Sequence, residues 1–281
     1  ADEVRTLATQ LRLTRIALQA DHVSLAQLKT LHSKVGKSRL KAVDDRLIHQ
    51  RAVKDAGEIA LIRRSLAIQQ EAFRRTVEKL EPGQTEAQIA AFLEYQMRYL
   101  GADGPSFDTI VAVDANASLP HAIPGSAKTR RGGIVLIDWG SQYQGYCSDL
   151  TRVVALGKMP ARIREIYSIV LEAQLAAIAA IKPGVVLTAV DAAAREVIAR
   201  AGYGERFGHG TGHGLGLNIH EQPVLGKRAQ GVLEPGQVVT VEPGIYLPGI
   251  GGVRIEDDVL VTARGRQGLS DLPKTLESAM I

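Results

Sequence analysis

Residues 132–138 read Gly-Gly-Ile-Val-Leu-Ile-Asp, and residues 236–242 read Gly-Gln-Val-Val-Thr-Val-Glu. Each is a glycine turn running into a short apolar strand, with an acid six residues after the first glycine. The likeness extends outward. Pro82-Gly83 precedes Thr85 and a helical pattern through Leu100, and Pro183-Gly184 precedes Thr188 and a helical pattern through Ala201. The two acids lie 104 residues apart and the two Pro-Gly turns 101. Such close offsets predict two halves of one domain, each a helix pair plus a hairpin. The expected class is α+β, with helices on one side of an antiparallel sheet.

Ahead of the first half, a long helix is expected from Asp55, where Ile59, Ile62, Leu66, Phe73 and Val77 recur at helical spacing. It ends at Glu81-Pro82-Gly83, because proline cannot continue a helix. Residues 1–51 read as smaller alternating units. Arg15–Leu18 is a short apolar stretch, Ser24 is an N-cap for a helix through Val35, and 39–43 is a strand. That is about half of a small α/β layer, too little to bury a core of its own. The expected division is 1–51 and 52–281.

The 281 residues are 45% hydrophobic and 23% charged, which excludes a disordered or collagen-like chain. Aromatics are only 4%, so the core must be aliphatic. The net charge of +4 is scattered in pairs such as Arg63–Arg64 and Arg130–Arg131, without the concentrated patch that nucleic acid requires. One cysteine, Cys147, excludes an internal disulfide. No apolar run approaches the 18 residues or so of a membrane span, so a cytoplasmic protein without nucleic-acid or membrane partners is expected. The chain starts at Ala1 inside a helix-like segment, and part of a native N-terminus is expected to lie ahead of it.

The acids carry the chemistry. A hairpin centred between Tyr143 and Gln144 would set Asp138 opposite Asp149, with Cβ atoms ~5 Å apart. In the second half, Glu242 and Glu256 are symmetric about Gly249 in a turn-rich linker. Charged side chains on apolar strands are rarely buried without a partner. Four carboxylates carry a charge that two divalent cations would balance, and paired cations ~3.5–4 Å apart are a common hydrolytic arrangement. Oxygen-rich ligands with an imidazole suit Mn, Co or Zn better than Cu(I) or an iron–sulfur cluster. The imidazoles available are His121, His209, His213 and His220. Three of them lie in Gly208-His209-Gly210-Thr211-Gly212-His213-Gly214-Leu215-Gly216-Leu217-Asn218-Ile219-His220. Five glycines there forbid a helix and are expected to let backbone approach a metal or ligand. His22, His32 and His49 are expected to be structural, as are Cys147 and Trp139.

These residues resemble the pita-bread metallopeptidases, the family of aminopeptidase P, prolidase and methionine aminopeptidase. The motifs are Asp138, Asp149 in Tyr146-Cys147-Ser148-Asp149-Leu150-Thr151-Arg152, His213 in Gly212-His213-Gly214-Leu215-Gly216, Glu242-Pro243-Gly244 and Arg254-Ile255-Glu256. The resemblance covers roughly residues 52–281. It implies a pita-bread catalytic domain whose metal ligands are Asp138, Asp149, His213, Glu242 and Glu256. It makes residues 1–51 the last part of the smaller N-terminal α/β domain of the Xaa-Pro members. His121, His209, His220 and Arg254 match the Xaa-Pro peptidases, and His209 sets the chain apart from methionine aminopeptidases.

The implied activity is metal-dependent hydrolysis of the Xaa-Pro bond in short proline-containing peptides, with two divalent ions, Mn first, by a homodimer. Glu242 would move the proton of the attacking water to the leaving nitrogen. His220 and His121 would donate to the tetrahedral intermediate or orient the peptide, and His209 and Arg254 would hold substrate oxygens. The alternatives are a methionine aminopeptidase and, outside catalysis, a pita-bread scaffold that only binds peptides or proteins.

Overall fold

The computed structural model describes residues 1–20, 22–43 and 46–281. It divides into two units, Ala1–Gln50 and Arg51–Ile281. The first holds α1 (Asp2–Gln10), β1 (Ile16–Gln19), α2 (Leu25–Val35) and β2 (Leu40–Val43). β1 and β2 pair in parallel, and Ser24 caps α2 in a reciprocal capping box with Gln27. α3 (Arg46–Ala52) follows.

In the larger unit, Asp55 caps α4 (Ala56–Val77) and Thr85 caps α5 (Glu86–Tyr99), each in a capping box with the glutamate or glutamine three residues on. Then come β3 (Gly104–Pro105), β4 (Ile110–Val113), β5 (Ile134–Trp139), β6 (Ser141–Tyr143), β7 (Tyr146–Cys147) and β8 (Leu150–Ala155). The second half repeats the plan with α6 (Ala161–Ala180) and α7 (Leu187–Arg200). They precede β9 (Gly212–Gly214), β10 (Glu221–Leu225), β11 (Val238–Val241), β12 (Gly244–Leu247), β13 (Gly251–Arg254), β14 (Asp257–Thr262) and β15 (Gly265–Gly268). The main sheets are antiparallel, in the orders β4-β5-β8 and β10-β9-β11-β14-β15.

β5 shows why Ile134–Ile137 is apolar without alternation. Val135, Ile137 and Trp139 pack with Leu66, Phe73 and Leu93 of α4 and α5. Ile134 and Leu136 pack with Ile163, Ile166 and Val170 of α6. A strand covered on both faces has no solvent side on which to place polar residues. Trp139 stacks on Phe73 at 4.5 Å between ring centres, so its role is packing.

The register of the first hairpin differs from the sequence-based expectation. Its turn is Gln144-Gly145, both at positive φ (47° and 84°), the geometry of a two-residue hairpin loop. Tyr143 therefore pairs with Tyr146, and Asp138 pairs with Thr151 rather than Asp149. Asp149 lies in the break between β7 and β8. In the second half the expected relation holds. Glu242 and Glu256 occupy matching gaps between the pairs Val241–Asp257 and Gly244–Arg254.

Candidate metal centre

Four strand ends deliver the acids to one place. Asp138 is the next-to-last residue of β5, Asp149 precedes β8, Glu242 follows β11 and Glu256 precedes β14. His213, at the centre of β9, completes the group. One ligand atom from each of Asp149, His213 and Glu256 lies within 4.8 Å of the others. His213 Nε2 is 3.7 Å from Asp149 Oδ2 and 3.4 Å from Glu242 Oε1. Asp138 joins through Arg254, whose Nη2 donates to its Oδ2.

Burial decides what these groups can do. Asp138, Asp149 and Glu256 are buried, and each has a carboxylate oxygen with no hydrogen-bond partner. Burial, then repulsion from Glu256, Asp138 and neighbouring acids, pushes Asp149 well above the usual carboxylate range. Burial and Glu242 do the same to Glu256, and burial pushes Glu242 up to about 8 despite Arg254 nearby. Burial and the neighbouring carboxylates thus raise Asp149, Glu242 and Glu256 together, and among the described residues Arg254 is the cation whose side chain bonds to this cluster. Burial lowers His213 to about 4. It is neutral near pH 7, and its Nδ1 is 3.0 Å from the Gly214 carbonyl, which suits an Nδ1–H donor. The Nε2 lone pair is then left toward the acids, the protonation state of a metal-ligating histidine. Unpartnered carboxylate oxygens converging with a neutral imidazole fit a divalent cation.

Around this cluster runs a hydrogen-bonded belt. Arg254 is buried. It donates through Nε to Thr151 Oγ1 (3.1 Å), through Nη1 to the Tyr246 hydroxyl (2.7 Å) and the Pro120 carbonyl (3.4 Å), and through Nη2 to Asp138. Thr151 donates in turn to Glu256 Oε2 at 2.6 Å. His209 Nε2 is 2.8 Å from the Tyr246 hydroxyl, and its Nδ1 is 2.8 Å from the Gly210 carbonyl. Burial, then the charge of Arg254, lowers His209 to about 4. Its Nδ1–H thus faces the carbonyl and its Nε2 accepts from Tyr246. His121 sits on an exposed loop, near enough for its charge to oppose protonation of His209. The His220 ring lies edge-on to His213, 4.3 Å between centres.

All the sequence-predicted residues therefore belong to one region, and two others belong with them. Thr151 and Tyr246 are not singled out by their sequence context. Thr151 lies two residues after Asp149 and Tyr246 four after Glu242, and the alternation of strand faces is the signal that would have found both. The glycines of 208–216 do something other than expected: they let backbone approach backbone. A Cβ on Gly212 would overlap the Thr240 carbonyl and one on Gly214 the Gln222 carbonyl, whereas Gly208 has open space. Cys147 is buried against the Leu217 carbonyl, and burial pushes its thiol up to about 11.

The sequence profile of metallopeptidase family M24 matches residues 60–263. An Xaa-Pro dipeptidase of Pyrococcus horikoshii is 41% identical over 249 residues, 89% of this chain and 71% of that protein. The crystal structure of an X-Pro aminopeptidase from Thermotoga maritima superposes with a TM-score of 0.93 at 42% identity, over 98% of this chain and 78% of that one. The structure of an Xaa-Pro dipeptidase from Bacillus anthracis superposes with a TM-score of 0.96 at 39% identity, over 100% and 78%. The architecture described above is the fold of these proteins.

Proposed function

The chain belongs to metallopeptidase family M24, and from that premise we propose that it hydrolyses the Xaa-Pro bond of short peptides with two divalent cations. Asp138, Asp149, His213, Glu242 and Glu256 would hold them. The observation that carries this reading is the set of unpartnered carboxylate oxygens on buried Asp138, Asp149 and Glu256 around a neutral His213. Similarity to proteins named for Xaa-Pro cleavage supports the substrate. Bound cations supply Lewis acidity and bring a water's pKa near neutrality. Manganese is our choice of metal because the donors are mostly carboxylate oxygen. We extend the proposal to a cytoplasmic homodimer.

The chain's own groups do the rest. Glu242 takes the proton of the attacking water and carries it to the prolyl nitrogen, which has no hydrogen of its own before cleavage. His121 and His220, both exposed, donate to the substrate carbonyl as it gains charge. Arg254 already makes four hydrogen bonds within the protein. We assign it to balancing the acids rather than gripping a substrate carboxylate. His209, engaged at both ring nitrogens, orients Tyr246 and, through it, Arg254.

The test is release of the first residue from Ala-Pro, Ala-Pro-Ala and Met-Ala-Ser by the Mn-loaded chain. Cleavage of the proline-linked pair is expected. Faster release of methionine from Met-Ala-Ser would make the chain a methionine aminopeptidase. No turnover with two ions bound would make it a binding scaffold.

A further inference from the structure

Away from the acids, a buried ion pair lies beneath the loop that bears His220. Lys54 and Glu221 are only 1% and 6% exposed at their side chains, with Lys54 Nζ 3.2 Å from Glu221 Oε2. Arg51 donates to the other oxygen of Glu221. That oxygen also accepts from the Asn218 N–H at 3.0 Å, which closes the turn 218–221. Lys54 is anchored in its turn, with Nζ donating to the Ala52 carbonyl at 3.2 Å and its backbone N–H to Gly236 at 2.9 Å. Gly216 crosses the pair so closely that a Cβ would meet Glu221 Oε2 and Lys54 Cε.

Burying two ions is expensive, and apolar side chains of similar volume commonly do as well for stability. Leu217 and Asn218, the tip of the loop, are exposed, and so is His220. What the pair does determine is direction. Glu221 pairs through its backbone with Gly214, the neighbour of His213, while its side chain folds under the loop it ends. His220 is held between these two constraints, with its ring against that of His213.

We propose that Lys54 and Glu221 are positioning residues that fix the His220 imidazole beside His213, facing the metal centre. This rests on the peptidase reading for its consequence in turnover, though not for its geometry. Histidine labelled with 15N reports the geometry without catalysis, in metal-free protein, with the His220 signal assigned by His220→Ala. The variant is Lys54→Met with Glu221→Gln, which leaves no buried ion unpaired. Lys54→Met alone, which leaves Glu221 paired with Arg51, serves if the double variant does not fold. The His220 signal is expected to move toward that of a freely exposed histidine while that of His209 stays. With manganese, kcat on Ala-Pro should fall about tenfold or more, with KM and metal content little changed. In a His220→Ala background the same substitutions should cost nothing further. An unmoved His220 signal would overturn the proposal, and so would an equal loss of kcat in the His220→Ala background. Should the wild-type chain cleave no proline-linked peptide, the peptidase reading fails and the labelled histidine alone decides the positioning.

Discussion

The guanidinium of Arg254 donates to the carboxylate of Asp138 at a point where both are nearly out of contact with water, 3% and 12% exposed at their side chains. Burial opposes the charge on Arg254, but Tyr246, Asp138, Glu242 and Glu256 together hold it charged. Its fork donates to three side chains, Thr151, Tyr246 and Asp138, that lysine could not reach together. Arg254→Met should leave Asp138 without its counter-ion. The metal-free chain is then expected to lose about 3 kcal/mol, the usual cost of breaking a buried pair. Urea unfolding checks it, and an unchanged midpoint would show that the pair is dispensable.

The acids should also make the metal-free protein less stable as pH rises. Glu242 has a folded pKa of about 8 against an ordinary 4.5, so its contribution is present at low pH and lost as pH climbs through 8. Asp149 and Glu256, raised in the same direction, act in the same sense. His209 and His213, lowered to about 4 from 6.5, stabilise above 6.5 and oppose this only below it. Between pH 6.5 and 8, then, the Tm of chelator-treated protein should fall, and Glu242→Gln should flatten the slope. Manganese should remove it, since bound cations favour the ionised acids. A Tm that rises across that window without metal would contradict the assignment.

Ligands and orienting residues should separate in a metal assay. Asp149→Asn is expected to lower metal content and peptide cleavage together. His209→Ala removes a group that touches Tyr246 rather than the acids. It should retain metal and reduce turnover by ~10²-fold. Mass-spectrometric metal content beside kcat on Ala-Pro tells them apart, and loss of metal from His209→Ala would place that histidine among the ligands.

The glycines around His213 should be unequal. Gly212→Ala would drive a methyl into the Thr240 carbonyl, part of the strand beside β9. A loss of about 3 kcal/mol or failure to fold is expected. Gly208→Ala meets nothing within 4 Å, and should change stability by no more than ~0.5 kcal/mol. Thermal melts of the two variants decide, and equal melts would mean the backbone yields at Gly212.

Residue type and spacing alone determined much of this protein. The apolar run Ile134–Ile137, the Pro-Gly punctuation and the repeated acids announce a two-half α+β chain. Capping residues Ser24, Asp55 and Thr85 mark helix starts, because an N-cap bond is made within four residues of chain. The symmetry of Glu242 and Glu256 about Gly249 was legible for the same local reason. What the tertiary structure decided depends on contacts between distant segments. The pairing of Asp138 with Thr151 turned on which two residues of a tight turn take positive φ. The burial of Arg254 and the ring tautomers of His209 and His213 follow from β8, β9, β12 and β13 meeting at one point. The ion pair of Lys54 with Glu221 joins residues 167 apart. A local pattern records which side chains a strand can offer, but desolvation and hydrogen bonding depend on what else arrives, and that is set only when the whole chain has packed.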